Sequence, residues 1–176
     1  AIFSVAENQL SIGTVSATDL DSESITFTVS GTEFAMTSAG VLSFKVAPDY
    51  ETKATYTATV TASDGTNTAT QDITVSVTDA NDTAPVFTSG ATFSAAENQT
   101  SIGIVTATDA DSGDSITFTV SGSELVMTSA GVLSFASAPD YETKASYTAT
   151  VTASDGTNTT TQAITVNVTD VSENSD

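Results

Sequence analysis

Residues 56–68 read YTATVTASDGTNT, and residues 147–159 repeat them letter for letter. In each copy apolar and hydroxyl residues take turns: Tyr56, Ala58, Val60 and Ala62 are separated by Thr57, Thr59 and Thr61. Successive side chains of an extended chain point to opposite faces, so this period of two predicts a strand with one buried face. The apolar stripe does not end in another methyl group. It runs into Asp64 in the first copy and Asp155 in the second. Two questions follow: what the repeated strand belongs to, and why its buried face finishes in a carboxylate.

The repetition extends along nearly the whole chain of 176 residues. FSVAENQLSIGTVSATDLDS (3–22) recurs as FSAAENQTSIGIVTATDADS (93–112), and ITFTVSG (25–31) recurs at 116–122, with one residue inserted near Gly113. TSAGVLSF recurs at 128–135 and APDYETKA at 138–145. A self-similar period of this size marks tandem domains. The predicted division is 1–83, including a polar linker over 79–83, and 84–176. Ile25, Phe27 and Val29 alternate with polar residues, as do Ile73, Val75 and Val77, and helical spacing is not sustained anywhere. The first unit reads as seven strands, near 2–6, 12–18, 25–30, 33–37, 41–46, 54–63 and 71–78, with a tight turn at Ser38-Ala39-Gly40. The expected fold is all-β: two tandem seven-stranded Greek-key β-sandwiches of immunoglobulin-like type. A unit this small buries only about 60–65% of its unfolded surface, so it would gain from an added staple.

Composition narrows the function. The chain has no Cys, His, Trp or Arg, and Lys45, Lys53 and Lys144 face 22 acids, for a net charge of −19. Disulfides and thiolate metal sites are excluded. Nucleic acid and anionic membranes repel such a chain, whereas divalent cations suit it. No apolar run is long enough for membrane insertion and no signal peptide heads the chain, so a secreted protein would be represented here by a piece of a longer one. Catalysis has no His or Cys to work with and no Ser in a nucleophile setting, and the reading is of a protein that is not an enzyme.

Strand direction sorts the acids. If successive strands alternate in sense, Glu7, Asp49, Glu51, Asp79 and Asp82 fall at one pole of the first unit and Asp19, Asp21 and Asp64 at the other. In the second unit Asp109, Asp111 and Asp155 take the latter pole. A tandem arrangement then gathers Glu7, Asp49, Glu51, Asp79, Asp82, Asp109, Asp111 and Asp155 at the junction, with no Lys or Arg. Two unit charges ~4 Å apart repel by about 4 kcal/mol at an effective dielectric near 20. Calcium, a hard ion taking 6–8 oxygens, would relieve this; magnesium, which demands octahedral geometry and keeps its waters, suits it less.

The same residues resemble the calcium motifs of the cadherin repeat. The matching segments are Ala6-Glu7-Asn8, Asp19-Leu20-Asp21, Asp49-Tyr50-Glu51, Ala62-Ser63-Asp64-Gly65, and Asp79-Ala80-Asn81-Asp82-Thr83-Ala84-Pro85-Val86-Phe87. The resemblance implies a cadherin-type sandwich and three interdomain Ca2+ ions. It assigns Glu7, Asp49, Glu51 and Asp82 to the outermost ion. Glu7, Glu51, Asp79, Asp82, Asp111 and the Ala80 carbonyl go to the middle ion. Asn81, Asp109, Asp111, Asp155 and the Thr83 carbonyl go to the third. Outer half-sites are implied at Asp19, Asp21 and Asp64, and at Glu97, Asp140, Glu142 and Asp170. The second unit closes on TDVSENSD without NDxxPxF, and both ends look cut from a longer array. The near-identical Thr/Ser/Ala-rich copies without Cys look like extender repeats of a large bacterial (RTX-type) surface adhesin, and no Trp near the N-terminus could anchor strand exchange.

The expected function is therefore that of calcium-binding repeats at the cell surface, outside the cell, stiffened by calcium and joined to neighbouring repeats of the same chain as a spacer in adhesion. A second reading makes them a recognition module that binds itself or a polysaccharide. Asp114 in DADSGD reads as a turn residue, with a small local calcium loop as the alternative. Tyr50 and Tyr141 read as packing residues. Asn81, Asn98, Asn158 and Asn167 lie in N-x-S/T sequons that a chain rich in Thr and Asn produces by chance.

Overall fold

The alternating segments are realised as strands. A computed structural model describes residues 1–21 and 24–173, and every regular element among them is a β-strand. No helix among the described residues is long and apolar enough to cross a membrane. The chain divides into two units, Ala1–Ala80 and Asn81–Asp176.

Unit 1 contains β1 (Ile2–Ala6), β2 (Ser11–Thr14), β3 (Thr26–Val29), β4 (Phe34–Met36), β5 (Val41–Phe44), β6 (Thr55–Ser63) and β7 (Thr68–Thr78). One sheet has the order β1-β7-β6-β3 and the other β2-β5-β4, so the chain changes sheet between β1 and β2, β2 and β3, β3 and β4, and β5 and β6. That is a Greek-key sandwich with the seven strands expected. β1 lies parallel to β7, with Val5 opposite Val77, so both strands deliver their C-terminal residues to the same pole. The predicted apolar stripes face inward. Val60, Ile73, Val75 and Val77 join Phe27, Phe34, Leu42 and Phe44 in the core, while the intervening threonines of β6 face outward or are half-covered. Leu42 is fully buried, and burial of a side chain of that size stabilises by about 1.5–3 kcal/mol.

Unit 2 repeats this plan with β9 (Thr92–Ala96), β10 (Ser101–Ile104), β12 (Thr117–Val120), β13 (Leu125–Met127), β14 (Val132–Phe135), β15 (Ser146–Ser154) and β16 (Thr159–Thr169). Its sheets are β12-β15-β16-β9 and β10-β14-β13. It adds a two-stranded ribbon, β8 (Val86–Phe87) against β11 (Ala107–Thr108). Phe87 packs on the unit 2 core, so the segment after the polar linker is anchored beside the residues that lead into Asp109.

The second strand is shorter than the period of two predicts. The stretch expected over 12–18 is strand only over Ser11–Thr14. The reason is tertiary: Val15 donates its N–H to Gly40 in the following turn, and Val105 does the same to Gly131. Both glycines have φ near +90°, and a Cβ on either would lie 2.3 Å from the carbonyl oxygen of Val15 or Val105. The turn therefore lies so close that only a residue without a Cβ fits, and it takes the amide that follows the strand's last ladder residue. In unit 2 the chain resumes as β11; in unit 1 the aligned Ala17 and Thr18 lie outside any strand and line an open cleft of about 150 Å³ with Asp19 and Asp64.

Candidate metal centre

Three groups of carboxylates stand out, one in unit 1 and two in unit 2. The first begins at Glu7. The residue after it, Asn8, adopts φ 62°, which turns the chain out of β1 and leaves the Glu7 side chain inside. Asn and Asp tolerate that conformation better than other non-glycine residues. Glu7 is only 3% exposed. Its Oε1 accepts the N–H of Ala80 at 2.7 Å and its Oε2 accepts that of Tyr50 at 2.8 Å. Two amides from distant segments thus fix one carboxylate, and they bring the Tyr50 turn and the end of β7 to it. One oxygen each from Glu7, Glu51 and Asp79 lies within 4.8 Å of the others.

Asp49 does not join that trio. Its Oδ1 accepts the Thr52 N–H and its Oδ2 the Thr52 hydroxyl, both at 3.0 Å, so it holds the turn that presents Glu51. The expected role of Asp49 as a ligand is thus set beside a structural one.

The same construction recurs in unit 2. Glu97 is 3% exposed and accepts the N–H groups of Val171 (2.7 Å) and Tyr141 (2.9 Å). Its neighbours are Asp140 and Glu142, with one oxygen from each of the three within 4.8 Å of the others. Asp140 repeats Asp49 by accepting from Thr143, whose hydroxyl and then whose N–H hold its pKa below 3.8. Glu142 behaves in the opposite way. Its own backbone N–H favours the charged form, but desolvation and the charges of Glu97, Asp170 and Asp140 together push its pKa above 4.5. Asp170 acts on this cluster as a charge.

The third group combines the polar linker with loops of unit 2. Asp111 is 5% exposed. Its Oδ2 accepts the Thr83 N–H at 2.9 Å, and its own N–H goes to Asp109 Oδ1 at 3.0 Å. Asp155 Oδ1 accepts the N–H groups of Thr157 and Asn158, each at 2.6 Å. Desolvation pushes the Asp155 pKa up, but these bonds and those from the side chains of Asn158 and Asn81 outweigh it and leave the pKa below 3.8. Asp82 accepts from the Thr83 hydroxyl at 3.4 Å. Within unit 2 the structure therefore brings Asn81, Thr83, Asp109, Asp111 and Asp155 to one pole.

Asn158 was missed as a part of this pole. Its side-chain nitrogen donates to Asn81 Oδ1 (2.8 Å), the Thr83 carbonyl (3.3 Å) and Asp155 Oδ2 (3.3 Å). It ties together three of the oxygen donors that the motif resemblance implies. The signal was present in the unchanged recurrence of DGTN at 64–67 and 155–158, where Asn67 also donates to Asp64. Asp64 accepts from Asn67 and Thr66 as well, which lowers its pKa below 3.8. Asp19 accepts the Asp21 N–H at 2.8 Å. Among the described residues Asp19, Asp21 and Asp64 do not gather three carboxylates as the other sets do.

Cations of the chain itself do not fill these sites. Among the described residues the ion pairs are Lys53 with Glu33 and Lys144 with Glu124, and each lysine also lies over a tyrosine ring, Tyr56 or Tyr147, at 4.4 Å. The clusters offer only oxygen donors. The 4.8 Å limit on their spacing lies within the ~5 Å that separates oxygens across a calcium ion with bonds of about 2.3–2.6 Å. In unit 2, Asp111 Oδ1 and Asp109 Oδ2 are shielded from water and accept no hydrogen bond, so both have acceptor capacity left for a cation.

No protein-family model matches the chain, and no curated protein matches it by sequence. Solved structures do match. Mouse cadherin-23 EC22-24 superposes with a TM-score of 0.84 at 26% identity, over 97% of this chain and 63% of that one. Human protocadherin-24 EC1-2 gives 0.82 at 22% identity, over 97% and 94%. Drosophila N-cadherin EC1-4 gives 0.80 at 24% identity, over 96% and 47%. The chain thus spans less than two thirds of the cadherin-23 and N-cadherin pieces. Its fold is cadherin-like.

Proposed function

We infer that the chain is a pair of calcium-binding repeats of a large extracellular surface adhesin, acting as a spacer stiffened by ions. The observation that carries this reading is Glu7 and its copy Glu97. Each is 3% exposed, has no lysine paired to it, and has both oxygens fixed by backbone amides. A buried carboxylate without a counter-charge costs several kcal/mol, and here it is built twice beside two further acids. A divalent ion resolves the cost.

Calcium supplies positive charge and a demand for oxygen ligands. The residues that would hold it in unit 1 are Glu7, Glu51 and Asp79, with Asp49 and the Ala80 carbonyl. In unit 2 they are Asn81, Asp82, the Thr83 carbonyl, Asp109, Asp111 and Asp155. We propose that about three ions draw on both sets and so couple the two repeats, with 79–83 as the calcium linker. Glu97, Asp140, Glu142 and Asp170 form a further set for an ion shared with a neighbouring repeat; Asp19, Asp21 and Asp64, which do not gather on their own, would hold one only with donors from such a repeat. The protein's own part is to pre-position the donors. Glu7 and Glu97 are held by amides, Asp111 by Thr83, and Asp155 by its own loop, so little ordering remains when the ion arrives.

The test is a melting curve of the full chain in chelator and in calcium. At 100-fold above its dissociation constant each independent ion adds about 2.7 kcal/mol. For domains of this size 1 kcal/mol moves the melting point by about 4–8 °C. A rise of about 10 °C or more is therefore expected. Equal melting points in chelator and in millimolar calcium would contradict the proposal.

A further inference from the structure

We propose that Asp114 is a ligand in its own right, and that with Asp109 and Asp111 it forms a calcium site contained wholly within unit 2. One carboxylate oxygen from each of the three lies within 4.8 Å of the other two. The second observation is independent of that grouping. Asp111 is 5% exposed and has one oxygen, Oδ1, that is sealed from water and accepts no hydrogen bond, beside a similarly sealed Oδ2 on Asp109. The other oxygen of each is already engaged, Asp111 Oδ2 by Thr83 N–H and Asp109 Oδ1 by Asp111 N–H. The two sealed oxygens are therefore fixed in place and lack only a positive partner.

The loop has the means to bring a third carboxylate. The one-residue insertion in the second copy lies near Gly113, which adopts φ +89°, a conformation that L side chains rarely take. It turns the chain straight after Asp111 so that Asp114 comes back to the pair. Three carboxylates give a −3 donor set to a +2 ion, enough to retain calcium without any group from unit 1. The consequence is an order of filling. The ion at Asp109, Asp111 and Asp114 binds first and presets Asp111, after which the ions that draw on both units bind. This inference rests on the calcium reading above and adds to it a residue and a sequence of events.

The experiment uses the full chain, stripped of metal and labelled with 15N, titrated with calcium chloride alone. Backbone amides of Gly113 and Ala80 report on the two regions separately. In a Glu51→Gln/Asp79→Asn background, which removes charge from unit 1, the Gly113 amide is expected still to shift and saturate. Adding Asp114→Asn, or in a second variant Asp114→Ala, is expected to weaken that saturation about tenfold or more, equivalent to ~1.4 kcal/mol. Unchanged amides of β12–β16 in chelator establish that each variant is folded. Loss of the Gly113 response in the Glu51→Gln/Asp79→Asn background, or unchanged affinity with either Asp114 variant, overturns the local site. In that event the Ala80 amide of the unsubstituted chain still responds to calcium if the proposed function is right. If neither amide responds in the unsubstituted chain, the proposed function and this inference fall together.

Discussion

Asp140 and Glu142 sit two residues apart in one cluster, yet their surroundings push them in opposite directions. Asp140 is held below 3.8, first by the Thr143 hydroxyl and then by its N–H. Its contribution to stability is present above the unfolded value and is lost as pH falls through the lower folded value. For Glu142 the bond from its own N–H is outweighed by desolvation and by three neighbouring acids, and its pKa rises above 4.5. Its contribution is fully present below the unfolded value and is lost as pH rises through the folded one. Carboxyl titration by NMR in chelator should give an Asp140 midpoint under 3.8 and a Glu142 midpoint over 4.5. Glu142→Gln should raise the melting point of the metal-free chain at neutral pH by a small margin, and a fall would contradict the assignment of strain to that charge. Much of this cluster was legible beforehand. The motif resemblance implied Glu97, Asp140, Glu142 and Asp170 as one set, and the first three do lie together. What could not be read was which oxygens face inward. Asp49 and Asp140 turned out to brace their turns through Thr52 and Thr143, and Asn158 turned out to bind the linker. Those roles depend on side-chain rotamers and on amides that come from distant segments.

Among the strands, alternation settled nearly everything. Seven were expected in unit 1 and seven are present, because a buried face with a period of two admits only one register. The exception is the second strand, cut short at Thr14 by the Gly40 turn. The pinch is a contact between segments 25 residues apart, Val15 and Gly40, and no local pattern encodes it. It carries a prediction. Gly122 and Gly131 both have positive φ, but a Cβ at Gly122 meets nothing within 4 Å while one at Gly131 meets the Val105 carbonyl at 2.3 Å. Gly122→Ala should cost about 1–2 kcal/mol, the penalty of the left-handed conformation alone. Gly131→Ala should cost at least twice as much by urea denaturation, or leave unit 2 unfolded. Equal costs would show that the turn does not press on the strand.

The chain as a whole is two near-copies that differ in the loops that carry the acids. Unit 2 has the β8–β11 ribbon, the insertion near Gly113 and the Asp109, Asp111 and Asp114 group; unit 1 has the Glu7, Glu51 and Asp79 group followed directly by the linker. The repeat and the acidic linker made a tandem arrangement legible from sequence. Whether calcium joins the two units is the central claim, and it is proposed here on the strength of donor sets that each unit builds for itself. Small-angle scattering of the full chain, recorded in millimolar calcium and again after chelation, tests it most directly. The account predicts a longer particle with a sharply defined maximum dimension in calcium, and a shorter mean dimension with a broad distribution in chelator. Superimposable curves under the two conditions would contradict it.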